Sequence, residues 1–124
     1  MPIEITINHD DQIVYAICHG RVTPPDIQHY QCETWNSTEI KGYGEFFDVR
    51  KGDVSDFSSP DAVTTTNKDN EKNSSVNKTA IVISAGWQKR FAIAYAMKPG
   101  LNPDNPRTIE YFFISSIALD WLKK

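Results

Sequence analysis

Hydrophobic and polar positions alternate along the start of the chain and then change period. Folding residues 3–9 and 12–19 back about Asp10-Asp11 sets Ile3, Ile5, Ile7, Val14, Ala16 and Cys18 on one face. The other face carries Glu4, Thr6 and Asn8 on the first strand but Ile13, Tyr15 and Ile17 on the second. The first strand is therefore expected at a sheet edge and the second inside the sheet. Thr23-Pro24-Pro25-Asp26 supplies a hydroxyl cap, proline in the first turn and a carboxylate three residues on. That start predicts a helix to about Asn36 with Ile27, Tyr30 and Thr34 on its buried stripe.

Lys41-Gly42-Tyr43-Gly44 breaks the chain, and Glu45 to Val49 reads as the third strand. A second helix start, Ser58-Ser59-Pro60-Asp61, opens a weak polar helix from about Pro60 to Asn70, where Thr64-Thr65-Thr66 lowers helix propensity. Asn67 to Lys78 is polar and expected as an exposed loop. Thr79 to Ser84 is the fourth strand. Trp87 to Lys98 predicts a helix apolar on most sides, with Trp87, Phe91 and Tyr95 in one row and Ile93 and Met97 in another. Pro99, Gly100, Pro103 and Pro106 end it.

The last strand, Ile109 to Ile114, is aromatic and β-branched and reads as buried on both faces. Ser115 or Ser116 is expected to N-cap a closing helix that lays Ala118, Leu119, Trp121 and Leu122 on the sheet. An end this apolar belongs to a core, so the domain is expected to close there.

Strands joined through single helices require right-handed parallel crossovers. The pattern thus predicts one α/β domain over residues 1–124, in the order β-β-α-β-α-β-α-β-α. Its sheet has four parallel strands and one antiparallel edge strand, with the strands in the order 1-2-3-4-5.

Composition narrows the function classes. A chain of 124 residues, 40% hydrophobic and 23% charged, suits a single soluble globule. A net charge of −3 without a basic cluster argues against a nucleic-acid surface. No apolar run approaches the roughly 18 residues of a membrane span. The chain opens directly into strand pattern, which predicts no signal peptide and a cytoplasmic protein. The Asn-x-Ser/Thr sequences at Asn36, Asn73 and Asn77 are then incidental. Cys18 in a strand and Cys32 on the outer side of the first helix form no CxxC pair and are expected as free thiols. His9 and His19 fall at opposite ends of the hairpin, so they cannot share a metal. No metal site and no cofactor are expected.

With that element order, a buried fourth strand, and a closing strand, Ser pair and Ala-Leu-x-Trp-Leu, the chain resembles the STAS domains (sulfate transporter and anti-sigma factor antagonist). It is most similar to the small stand-alone SpoIIAA-like proteins. In the antagonist branch the third strand ends in Asp, followed eight residues later by Asp-Ser-Ser-Gly, whose second Ser is phosphorylated by a partner kinase. Asp48 matches the first Asp, Asp56 the second and Ser58 the phosphorylated Ser. Phe57 stands where the motif has its first Ser, Ser59 where it has Gly, and Pro60 follows. The resemblance implies a regulatory module that docks a protein partner through the helix start at Ser58.

The residues themselves leave alternatives. Ser58 and Ser59 serve as a helix cap, or as a site where a phosphate or anionic ligand meets helix N–H groups, with Arg50 and Lys51 solvated or adding charge. The Trp87–Met97 helix, through Trp87, Phe91, Ile93, Tyr95 and Met97, packs in the core, forms a homodimer contact, or lines a groove for a small apolar or amphipathic, lipid-like ligand. Gly20-Arg21-Val22-Thr23 sits where a phosphate-binding turn would, but no dinucleotide fingerprint or P-loop is present. Asp48, Asp53 and Asp56 gather at the end of the third strand, as solvated acids or Mg²⁺ ligands. With no triad order and no Cys–His pair, the expectation is a non-enzymatic domain that works by binding: a regulatory protein-binding module, or alternatively a carrier or sensor of a lipid-like ligand.

Overall fold

A computed structural model describes residues 2–34, 38–53, 76, 78–84, 86 and 108–124. Strands β1 (Ile3–Asn8) and β2 (Ile13–Cys18) form the antiparallel hairpin in the register that the alternation requires, Ile3 opposite Cys18, Ile5 opposite Ala16 and Ile7 opposite Val14. The loop is wider than a tight turn. His9 to Gln12 separate the strands, Gln12 takes a left-handed φ of 57°, and the Asp11 amide donates to Asn8 Oδ1 at 3.0 Å. Asn8 thus builds an Asx turn where a bare Asp10-Asp11 turn was expected.

After β3 (Gly20–Arg21) comes helix α1 (Pro24–Thr34). Its start is held by Asp26, whose Oδ2 accepts from both the Thr23 amide and the Thr23 hydroxyl at 2.9 Å. A 3-10 turn at Thr38–Ile40 leads to β4 (Gly44–Asp48), then β5 (Gly52–Asp53), β6 (Lys78–Val82), β7 (Thr108–Phe112) and the closing helix α2 (Ser115–Leu122). The main sheet runs β1-β2-β4-β6-β7, antiparallel at β1–β2 and parallel elsewhere. β3 and β5 form a separate two-stranded parallel ribbon. Two-residue polar strands carry no periodic signal, so the ribbon leaves no trace in the sequence pattern.

Each face of the sheet has its own core. Val14, Ala16, Cys18, Phe47, Ile81 and Ile83 pack with Ile27 and Tyr30 of α1. Ile13, Phe46, Ala80 and Val82 pack with Ala118 and Leu122 of α2, with Leu119 and Trp121 against the edge of that cluster. β4 is buried along its whole length because both layers cover it.

Two local readings are corrected. β7 is not buried on both faces. Among the described strands it pairs with β6 alone, and Glu110 and Tyr111 are exposed. Its aromatic and β-branched content reflects fit to a pleated surface, not depth. The N-cap of α2 is Ile114, without a side-chain cap bond, and the Ala118 amide donates to the Ile114 carbonyl at 3.2 Å. The helix starts one residue early, which places Ser115 and Ser116 in its first turn. The expected helices Pro60–Asn70 and Trp87–Lys98 lie outside the described residues.

Candidate functional site

In an open parallel sheet, ligands and partners meet the carboxyl ends of the strands, where the crossover loops converge. Here that end is formed by the last residues of β2, β4, β6 and β7, the β3–β5 ribbon, the first turn of α1 and the start of α2.

Asp48 closes β4 and is nearly buried. Its carboxylate is held in a fork by Arg50: Nε donates to Oδ1 at 3.0 Å and Nη2 to Oδ2 at 2.7 Å, while the Arg50 amide also donates to Oδ1 at 3.0 Å. The fork raises the Arg50 guanidinium above its ordinary range, chiefly through the side-chain hydrogen bond to Asp48. The sequence reading matched Asp48 to the regulatory motif and treated Arg50 as solvated or as loose charge. In the fold the two are one unit, and three bonds orient the carboxylate. A pair two residues apart across a strand end leaves no periodic trace in sequence.

The Gly20-Arg21-Val22-Thr23 turn is not a phosphate cradle. The Gly20 amide donates to the Lys51 carbonyl at 3.2 Å and the Val22 amide to the Asp53 carbonyl at 2.9 Å. The Thr23 amide is taken by Asp26. Amides already committed to protein oxygens are not free to bind an anion. Gly52, in the ribbon, is required for close approach, since a Cβ there would lie 2.8 Å from Cys18 Cβ.

Beneath the ribbon, Cys18 is fully buried. Desolvation, then the charges of Asp48, Glu45 and Asp26, push its thiol far above the ordinary range. It is a structural thiol, inert as a nucleophile while buried. Cys32 is exposed on α1. His9 Nδ1 lies 2.9 Å from the Tyr43 hydroxyl, and His19 pairs with Glu4 at the other end of the hairpin. Among the described residues no group of three His, Cys, Asp or Glu side chains could hold a metal ion. Among them, too, no helix is long and apolar enough to cross a membrane.

The same end of the sheet carries an apolar surface. Phe113 is 59% exposed, Ile114 54% and Ile117 52%, and Tyr111 on β7 is 37% exposed. All four belong to one short run, the end of β7 and the opening of α2. Large apolar side chains exposed as a group mark interaction surfaces more often than scattered single ones do. The aromatic and β-branched composition of Ile109 to Ile114 points to the core and hides this patch. The signal available was its position as the last strand, which makes it an edge.

No family model and no curated protein matches the sequence. Among solved structures, the chain is similar to an uncharacterized protein of the DUF3478 family from Shewanella loihica PV-4, whose crystal structure has a SpoIIAA-like fold. The two superpose with a TM-score of 0.57 at 16% identity, over 97% of this chain and 91% of that one. The fold of this chain is SpoIIAA-like. That agrees with the resemblance drawn from element order and from the closing strand and helix. The SpoIIAA-like fold places Asp48 at the carboxyl end of its strand, but Asp56, Ser58 and Ser59 lie outside the described residues, as do Trp87, Phe91, Ile93, Tyr95 and Met97. Of the residues matched to the regulatory motif and those of the Trp87–Met97 helix, the described structure therefore places Asp48 alone.

Proposed function

We propose that this chain is a non-enzymatic protein-binding module that docks a partner through the carboxyl end of its sheet. The observation that carries this reading is the exposed apolar run Phe113, Ile114 and Ile117, which follows β7 at the end of the sheet where the Asp48–Arg50 fork closes β4. At protein interfaces aromatic and aliphatic anchors of this kind supply affinity and the surrounding polar residues supply register. Among the described residues at this end, the amides of the ribbon, the forked carboxylate and the buried thiol are already committed to the protein itself.

On this reading the helix start expected at Ser58, five residues past Asp53 in sequence, is the regulated part of the docking surface. A phosphate on Ser58 would add up to about −2 charge and three acceptor oxygens, enough to switch a partner on or off. The same reading makes the protein cytoplasmic, where partner kinases and reduced thiols are found.

The test compares wild type with Ser58→Asp and Ser58→Ala in capture of partners from the host's own extract. The reading expects the Asp and Ala variants to retain different partners, or the same partner in clearly different amounts. Identical capture by both would remove the switch.

A further inference from the structure

β1 is an edge strand without the usual guards. Among the described residues it pairs with β2 alone, in a register that runs unbroken from Ile3–Cys18 to Asn8–Ile13. It holds no lysine, no proline and no bulge, the devices that ordinarily keep a sheet edge from pairing further. Its one charged residue, Glu4, is drawn back onto its own hairpin, with Oε2 2.5 Å from His19 Nε2.

The ladder fixes which backbone groups of β1 face outward. The His19 amide donates to the Pro2 carbonyl at 2.7 Å, so Pro2 and His19 form a hydrogen-bonded pair. Such pairs alternate along an antiparallel ladder, which makes Glu4–Ile17, Thr6–Tyr15 and Asn8–Ile13 the next ones. The N–H and C=O groups of Ile3, Ile5 and Ile7 therefore point away from β2. The side chains of these three share the α1 face, and their burial falls along the strand. Ile3 is buried, Ile5 half-buried and Ile7 36% exposed.

We propose that this edge pairs with β1 of a second copy of the chain, antiparallel about a two-fold axis through Ile5. Hydrogen bonds form only in registers where outward-facing residues meet. Centred on Glu4, the pair would set like charges against each other. Centred on Thr6, it would leave Ile3 beyond the partner strand. Centred on Ile5, it sets Ile5 against Ile5, Ile3 against Ile7 and Glu4 against Thr6. All the outward groups of Ile3, Ile5 and Ile7 then find partners. Aliphatic side chains meet on one face, and carboxylate meets hydroxyl on the other. The exposed Ile7 is covered by the partner subunit's Ile3. A patch that complements itself in this way is what a two-fold interface requires, and it selects a second copy over an unrelated strand. The helices leave room for it: the Tyr30 ring of α1 packs on Phe47 of β4, two strands in from this edge, and α2 packs on β4, β6 and β7. The edge lies opposite β7, so the pairing is independent of any partner at the Phe113–Ile117 surface.

Thr6 carries the test, because it is exposed and stands opposite Glu4 in this register alone. Sedimentation velocity of the full chain, at loading concentrations up to about 0.5 mM, follows the monomer–dimer equilibrium of wild type, Thr6→Glu and Thr6→Lys. The expected result is a wild-type dimer. Thr6→Glu faces the partner subunit's Glu4 on both sides of the axis and should weaken the dimer about tenfold. Thr6→Lys faces the same carboxylate and should leave the dimer as tight as wild type or tighter. A monomeric wild type, or any ranking other than lysine at or above wild type and glutamate below it, would overturn the proposal. Hydrogen exchange in wild type gives a second readout that needs no variant. Amides of Ile3, Ile5 and Ile7 should exchange about tenfold more slowly in a concentrated than in a dilute sample, with the Thr6 amide, already bonded to β2, unchanged. Exchange of those three amides that ignores concentration would equally overturn it.

Discussion

Cys18 provides a prediction whose size follows directly from its surroundings. The thiol is fully buried, and desolvation with the charges of Asp48, Glu45 and Asp26 raises it far above the usual value of 9.0. The unfolded chain releases this proton near its ordinary value, whereas the folded chain keeps it. Folded and unfolded states are equivalent in this respect below pH 9, so the full stability is present there. Above it the unfolded state gains free energy by ionising, and stability falls by about 1.4 kcal/mol per pH unit from this one group. Cys18→Ala removes the linkage at the cost of a small cavity that does not depend on pH. Urea unfolding followed by circular dichroism for both proteins between pH 8 and about 10.5 isolates the difference, because other titrating groups cancel. Wild type should lose about 2 kcal/mol more than Cys18→Ala over that span. Parallel stability curves would mean that the thiol is not held in a desolvated, acid-flanked site.

Three further predictions follow from packing and pairing. Arg50→Ala leaves the buried Asp48 carboxylate with its bond from the backbone amide. Because Arg50 is itself partly exposed, the cost is about 1–2 kcal/mol, or roughly 3–10 °C in Tm by calorimetry. Arg50→Lys should recover less than half of that, since an ammonium cannot form the fork. Gly52→Ala should destabilise by about 1–3 kcal/mol, as its Cβ would meet the Cys18 stem at 2.8 Å. Gly44→Ala should be milder, because the atom it meets at 3.1 Å is Cδ2, the far end of the Leu122 side chain, and not a stem or backbone atom. Equal losses from these two changes in chemical unfolding would refute the packing described around the ribbon.

Much of the architecture was legible because two periods dominate this chain. The strict alternation of residues 3–18 fixed which side chains share a face, and Thr23-Pro24-Pro25-Asp26 marked the start of α1 through its own capping chemistry. Depth was harder to read. The run Ile109–Ile114 has the composition of a central strand, yet its place at the end of the sheet turns Tyr111, Phe113 and Ile114 toward solvent. Ser115 and Ser116 look like caps, but the backbone of Ile114 already opens the helix.

The candidate site was less legible than the fold because its parts depend on tertiary proximity. The ribbon brings residues near Gly20 and Gly52 together across α1 and β4, and no local pattern announces that pairing. Glu45 sits beside Phe46 and Phe47 in a run that reads as uniformly buried. Only the fold shows that Tyr30 and Thr79 reach it from other elements.

The central claim is that the Phe113–Ile117 surface binds a protein partner. Its most direct test is partner capture from host extract with tagged wild type, with Phe113→Asp/Ile117→Asp, and with a control carrying Lys41→Glu in the turn before β4. Both sites are exposed, so all three proteins should share the same thermal stability. The account predicts that the polypeptides retained by wild type are kept by the control and lost by the double variant. Undiminished capture by a folded double variant would contradict it.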